Sequence, residues 1–484
     1  MYPALRKLLW IISLAVATAT SAGTVIVQIG GGDHIDNSQG QIEDNVIWLN
    51  RILRKTEMPL HNFFGSGKLS EKDVSLYVQK DFDSPMMVLS RVFDEPDVER
   101  IQYRHNRVPE LSGSMYKDEI MKSLEGIIKG LPKQQDFLLI FNGHGQLDKS
   151  DIRKNSLKTW GRGEITVGEM DDLFDMAPGG TTLRFVFPQC YSGGFYHLIY
   201  ENPYSSKFSN QYRCGFMAES PYDQSEGCSL STNREEYRDY STYFFAPLNG
   251  KTRIGGELVV EPDLDRNGEI SYSESHIYAI KAGRSKDLSR STSEAFLEDW
   301  MPWYLRWGRE QMGAQSKYWD IAEFLADRDG YELDDKELNR ARTSLKEQMV
   351  KWQQRAKDCY QDANAIAKRL KKEAVKHWPE LLHPYTSDYK ATIENQSERI
   401  ADLIKSNSDY GLLVETQDSC AAKEKVILKI ERDVAQVEKI LRYLKLATIE
   451  YYFNRFASDA EKAHYESLLK CEQGAFFQLP SADR

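Results

Sequence analysis

A doubly wound, mostly parallel α/β sheet followed by an all-helical C-terminal region is the fold class that this sequence predicts. Three observations carry the prediction. Short apolar strand candidates alternate with helix candidates over the first three hundred residues. After about residue 310 glycine becomes rare, and Lys, Glu, Gln and Ala dominate. Two heptad seams then run through this second part.

Residues 24–29 form an apolar run ending in Gly30-Gly31-Gly32 and read as a buried strand. Residues 42–55 follow with helical spacing of Ile42, Val46, Leu49 and Leu53. Residues 115–130 read as another helix and residues 137–141 as a second strand. Residues 167–177 read as an amphipathic helix, 183–187 as a third strand and 213–218 as a fourth. In such a sheet the ligand crevice lies past the carboxyl ends of the strands.

Leu345, Met349, Trp352, Ala356, Cys359, Ala363, Ile366 and Leu370 make one seam. Ile427, Ile430, Val434, Val437, Leu441 and Leu444 make the other. Two such helices most simply pack as an antiparallel, coiled-coil-like pair, joined by residues 379–420. Residues 451–456 are unusually aromatic and are expected to pack on the first domain. There is no internal repeat and no low-complexity tract.

Arg6 and Lys7 precede an apolar stretch from Leu8 to Ala19, with small residues after it. The run is too short to span a bilayer and reads as an export signal cleaved after Ala19 or Ala22. The domains expected are a signal peptide at 1–22, an α/β domain at 23–308 and a helical domain at 309–484. The mature chain is expected to be periplasmic or secreted, without a membrane span. The formal net charge of −10 argues against a sequence-independent nucleic-acid binder, which needs a basic face.

Two strands end in informative loops. Residues 137–141 run into Asn142-Gly143-His144-Gly145. Residues 183–187 run into Pro188-Gln189-Cys190-Tyr191-Ser192-Gly193-Gly194. If the strands are neighbours, His144 and Cys190 stand at one sheet edge. A thiol becomes a strong nucleophile when an imidazole takes its proton. The N–H groups of Gly145 and Cys190 are candidates for an oxyanion hole. Gly193 and Gly194 give a tight exit where a side chain would obstruct substrate.

An apolar strand followed by His-Gly, then one followed by x-Cys-x-Ser-Gly-Gly, resembles the caspase/legumain clan of cysteine peptidases, over roughly residues 24–300. The resemblance implies a caspase-like α/β/α sandwich and a cysteine endopeptidase acting on a protein or peptide substrate. His144 is then general base and acid, Cys190 the nucleophile, and Gly145 the glycine after the histidine. Caspases carry Gln-Ala-Cys, whereas here Gln189 directly precedes Cys190. Primary specificity is therefore not carried over. The competing reading is an inactive caspase-fold binding or assembly protein working through its helical domain, which in either case is a candidate partner surface or autoinhibitor.

Asp263-Leu264-Asp265-Arg266-Asn267-Gly268-Glu269-Ile270-Ser271-Tyr272-Ser273-Glu274 matches the calcium-loop template. Ligands would be Asp263, Asp265, Asn267, the Glu269 carbonyl, Ser271 directly or through water, and bidentate Glu274. A helix follows, and residues 255–260 before it read as strand. The alternative is an Asx-rich turn that caps the helix without metal.

There are six cysteines. If Cys190 is catalytic, at least one other has no partner within the chain. A Cys214–Cys228 disulfide would close a loop beside the crevice, worth about 3 kcal/mol. Glu219, Asp223 and Glu226 make that loop acidic, so Glu219 and Asp223, with Gln189, are candidate substrate-binding residues favouring a basic side chain. Cys471 is placed near Cys359 if the last helix folds back along its predecessor.

Overall fold

The computed structural model describes residues 23–56, 58–67, 71–80, 82–94, 97–302 and 316–477. The export-signal segment lies outside them.

Seven strands form the main sheet: β1 (Val25–Gly31), β2 (Leu60–Phe64), β3 (Leu111–Gly113), β4 (Phe137–Gly143), β5 (Thr182–Phe187), β6 (Tyr212–Met217) and β7 (Arg290–Ser291). Their spatial order is β7-β6-β5-β4-β1-β2-β3. All neighbours are parallel except β7, which runs antiparallel to β6. The four strands predicted from apolar runs are β1, β4, β5 and β6. They read as unbroken runs because both faces of a parallel sheet are covered. Val27, Leu139 and Phe185 point to one apolar cluster, whereas Ile26, Leu138 and Val186 point to another.

The helices of nine residues or more among the described residues are α1 (Gly40–Leu53), α2 (Pro85–Phe93), α3 (Lys117–Lys129), α4 (Val167–Asp175), α5 (Tyr272–Ala282), α6 (Thr292–Trp300), α7 (Lys317–Asp329), α8 (Asp335–His377), α9 (Ser387–Ser406), α10 (Ser408–Phe456) and α11 (Asp459–Glu472). Ile120, Leu124 and Ile128 of α3 join Met170 and Phe174 of α4 on one face of the sheet. Trp48, Leu49 and Ile52 of α1 join Tyr272 and Ala279 of α5 on the other. At 25 cal/mol per Å², burying one such Leu or Ile is worth about 2 kcal/mol, so these faces fix which way each helix docks.

The predicted antiparallel pair is α8 and α10. Lys346 meets Glu438, Cys359 is bonded to Cys420, and Arg369 meets Asp409. The partner number falls as the α8 number rises, which only opposite directions allow. The helical part is not a separate body, however. Val437, Ile440, Tyr443 and Leu446 of α10 share the core of the sheet domain. Phe453 meets Phe296 and Trp300 with ring centroids 5.9 and 5.0 Å apart, so the aromatic end of α10 packs where expected.

After α10 the chain turns back to the sheet instead of lying along α8. Cys471 on α11 is bonded to Cys214 on β6, and Cys359 to Cys420. Neither the Cys214–Cys228 bond nor a Cys359–Cys471 approach occurs. Cys214 sits three residues before the end of β6, about 10 Å below the loop carrying Cys228 at the strand rise, beyond the span of a disulfide. Residues 255–260 are also not a strand. The segment that does pair is Ile270–Ser271, which joins Ala475–Phe477 antiparallel. Among the described residues no helix is long and apolar enough to cross a membrane. The two disulfides fit an exported chain.

Candidate active site

The chain leaves β1 to one side through β2 and β3, then returns to place β4 on the other side of β1. This is a topological switch point, where a crevice opens beyond the carboxyl ends of the strands. β4 and β5 are neighbours, with Val186 beside Ile140. His144 follows β4 directly, and Cys190 follows β5 after Pro188 and Gln189. Both predicted residues therefore stand at the same edge.

The loop after β1 holds the imidazole. His144 Nε2 lies 2.7 Å from the Asn37 carbonyl and 2.9 Å from Gln39 Oε1. Both partners accept, so Nε2 carries the proton and Nδ1 keeps its lone pair. Asp33 fixes this loop by accepting from the side chains of His34 and Asn37. Desolvation lowers the His144 pKa below its ordinary value, against the opposing pull of the Asn37 carbonyl and the Asp33 charge. The ring is thus a neutral base with Nδ1 free to accept.

Cys190 is half-buried. Its Sγ lies 3.8 Å from the Ser225 carbonyl and 3.7 Å from the Ser225 hydroxyl. Burial pushes its thiol up to about 11. No hydrogen bond joins Cys190 to His144 among the described residues. The sulfur on His144 Nδ1 is that of Cys228, at 3.6 Å. Tyr191, next to Cys190, has φ 58° and ψ 16°, a left-handed conformation costly for a bulky residue. Its N–H donates to the Asp223 carbonyl at 2.9 Å, which holds the elbow.

Gly145 packs against the nucleophile loop. A Cβ there would meet the Cys190 carbonyl oxygen at 1.9 Å, so only glycine fits. Gly193 and Gly194 are tight for a different reason than expected. Side chains there would strike Pro221 at 2.6 Å and the Ile152 carbonyl at 2.5 Å, which are walls of the protein and not substrate space.

The acidic loop uses much of its charge internally. Glu219 is buried and accepts from the N–H groups of Ser220 and Leu288 at 2.6 and 3.0 Å, and burial pushes its carboxyl up to about 7. Glu226 accepts from the Lys286 N–H and from Arg432 on α10. Of the three carboxylates only Asp223 stays exposed, accepting from the Ser220 hydroxyl at 2.7 Å. Glu219 therefore does not line an open pocket. Gln189 is buried with neither end of its amide hydrogen-bonded.

In the acidic segment before α5, carboxylate oxygens of Asp263, Asp265 and Glu274 lie within 4.8 Å of one another. Gly268, at φ +87°, makes the turn. Asp263 accepts from the N–H groups of Asn267 and Gly268, and Asn267 Oδ1 from that of Glu269. Ser271 and Glu274 form a capping box at the start of α5. The loop is thus a helix cap whose carboxylates also converge. An all-oxygen, mostly anionic set suits a hard divalent cation.

Sequence reasoning missed Asn37, Gln39 and Cys228. Asn37 and Gln39 lie just past the carboxyl end of β1, where the switch-point rule directs attention. The count of cysteines required a second unpaired one, and Cys228 is that residue.

No protein-family model matches the chain, and no curated protein matches it. Among solved structures it is similar to the crystal structure of protein GSU0716 from Geobacter sulfurreducens, with a TM-score of 0.32 and 10% identity over 56% of this chain and 92% of that one. A likeness that low carries no argument about function.

Proposed function

We propose that this chain is an exported, periplasmic or secreted cysteine endopeptidase of caspase-like type, with Cys190 as nucleophile and His144 as base and acid. The observation that supports the reading most is the imidazole: Nε2–H is held by two acceptors, so Nδ1 keeps its lone pair, at a sheet switch point whose neighbouring strand end carries Cys190. In the reaction the Cys190 proton passes to Nδ1 as sulfur bonds the scissile carbonyl carbon. The N–H groups of Gly145 and Cys190 are the candidates to hold the oxyanion. His144 then protonates the departing amine, and finally deprotonates the water that cleaves the thioester. Reaching Nδ1 requires Cys190 to leave Ser225. Asp263, Asp265, Asn267, Glu269, Ser271 and Glu274 would hold calcium, which would stiffen the loop before α5.

Cys190→Ala tests the assignment: peptide turnover should vanish while the melting temperature stays. Turnover that persists in this variant rejects it. A second reading, an inactive binding or assembly protein, is favoured by the raised Cys190 thiol and its bonds to Ser225. It predicts that no peptidyl electrophile labels Cys190.

A further inference from the structure

Four of the six cysteines are closed in disulfides, and the remaining two, Cys190 and Cys228, belong to one small network. Ser225 contacts the Cys190 sulfur, and Cys228, three residues further on, places its own sulfur 3.6 Å from His144 Nδ1. That nitrogen holds the lone pair, because both partners of Nε2 are acceptors. A protonated thiol reacts when it has a base and access to solvent. Cys228 has both, since it touches the base and is exposed. Cys190 is half-buried and held by Ser225.

We infer that Cys228 is a second reactive thiol of this site, the one His144 deprotonates in the arrangement seen, and that Cys190 is its resolving partner when it is oxidised. The oxidant class is a peroxide. His144 Nδ1 accepts the Cys228 proton as the sulfur attacks one peroxide oxygen. The O–O bond breaks, the departing hydroxide takes the proton and leaves as water, and Cys228 becomes a sulfenic acid. The Cys190 sulfur then attacks the Cys228 sulfur, its proton leaves with the hydroxyl as a second water, and a disulfide forms. Two thiols and one peroxide give one disulfide and two waters, and a thiol reductant reverses the bond.

Asp239, Asp287 and Lys286 act on Cys228, and Asp33 and Lys158 act on His144. Although the residue is exposed, desolvation around its sulfur and the two carboxylates push the Cys228 thiol up to about 12. It is therefore no standing thiolate, and its reactivity depends on the neighbouring base.

The test uses the full chain after mild reduction, together with H144Q and C190A, each checked by thermal melting. Limiting iodoacetamide at neutral pH is followed by peptide mass spectrometry. Cys228 should be alkylated about tenfold faster than Cys190. Its rate should fall severalfold in H144Q and hold in C190A. Cys190 reacting first, or a Cys228 rate indifferent to H144Q, overturns the pairing. If H144Q does not fold, the pH profile of the unmodified chain decides. A Cys228 rate that levels off once the imidazole is neutral supports the pairing; one that keeps rising tenfold per pH unit, as for a free thiol, overturns it. One equivalent of hydrogen peroxide should then give a Cys190–Cys228 cross-linked peptide reversible by dithiothreitol. Oxidation of Cys228 without that cross-link overturns the resolving role. None of these readouts uses peptide cleavage. A chain that cuts no peptide yet labels at Cys228 rejects the peptidase and keeps this inference.

Discussion

Arg432 on α10 donates from Nε and Nη2, one edge of its guanidinium, to the two carboxylate oxygens of Glu226, two residues before Cys228. The helical extension is thereby tied to the loop whose Ser225 covers Cys190. The same helix donates from Gln436 and Lys439 to the Ser285 carbonyl, both at 3.0 Å, beside that loop.

Arg432→Ala should free the loop. Alkylation of Cys190 should speed up severalfold, while the fold loses only about 1 kcal/mol, as for a partly exposed ion pair. Equal Cys190 rates in the two proteins would show that α10 does not restrain the loop.

Gln39 is a positioning residue, acting through the His144 ring. Reactions that need neutral His144 should fall away on the acid side below the ordinary imidazole value of 6.5, because burial lowers this ring. Gln39→Leu removes an acceptor that favours the charged ring, so the acid limb should move to lower pH, with a rate loss of about tenfold from misorientation. Gln39→Glu should move the limb the other way. A limb that stays put in both variants would separate Gln39 from the ring.

Calcium should raise the melting temperature. At a hundred times its dissociation constant it would add about 2.7 kcal/mol. Because Ile270–Ser271 pairs with Ala475–Phe477, amide exchange in that C-terminal strand should slow as well. Asp263→Asn with Glu274→Gln should abolish both effects. Calcium that changes neither melting nor exchange in the unmodified chain would leave the loop as a helix cap alone.

Arg442 fastens α10 to α6. It donates to Glu298 at 2.8 Å and Glu294 at 3.1 Å, and the Tyr443 hydroxyl donates to Glu294 at 3.0 Å. Burial alone would raise the Glu294 carboxyl, but Arg442 and His276 outweigh it and hold it well below its ordinary 4.5. A depressed carboxyl stabilises the fold above its unfolded value and loses that contribution as the pH falls through the folded one. Acid should therefore loosen this joint below about pH 4.5. Arg442→Met takes the largest counter-charge from the buried Glu294, while Glu298 keeps Arg290, and should cost about 3 kcal/mol in urea melts at neutral pH.

The sequence by itself determined the four apolar strands, the helix period, the α8–α10 seam and the placing of His144 and Cys190 at strand ends. These are local facts. An apolar run buried on both faces and a heptad both write themselves into adjacent residues. Only the tertiary structure decided what meets what. Cys214 found Cys471 because α11 turns back to β6, a choice made by packing 257 positions away in the chain. Glu219 looked like a surface carboxylate, but it is drawn inside, where it accepts from the N–H groups of Ser220 and Leu288. Cys228 gave only a count as its signal. It reached His144 because Glu226 and Arg432 hold its loop over the switch point, and ion pairs between distant segments leave no periodic trace. In the structure the imidazole meets the sulfur of Cys228, and Cys190 rests on Ser225 of the same loop.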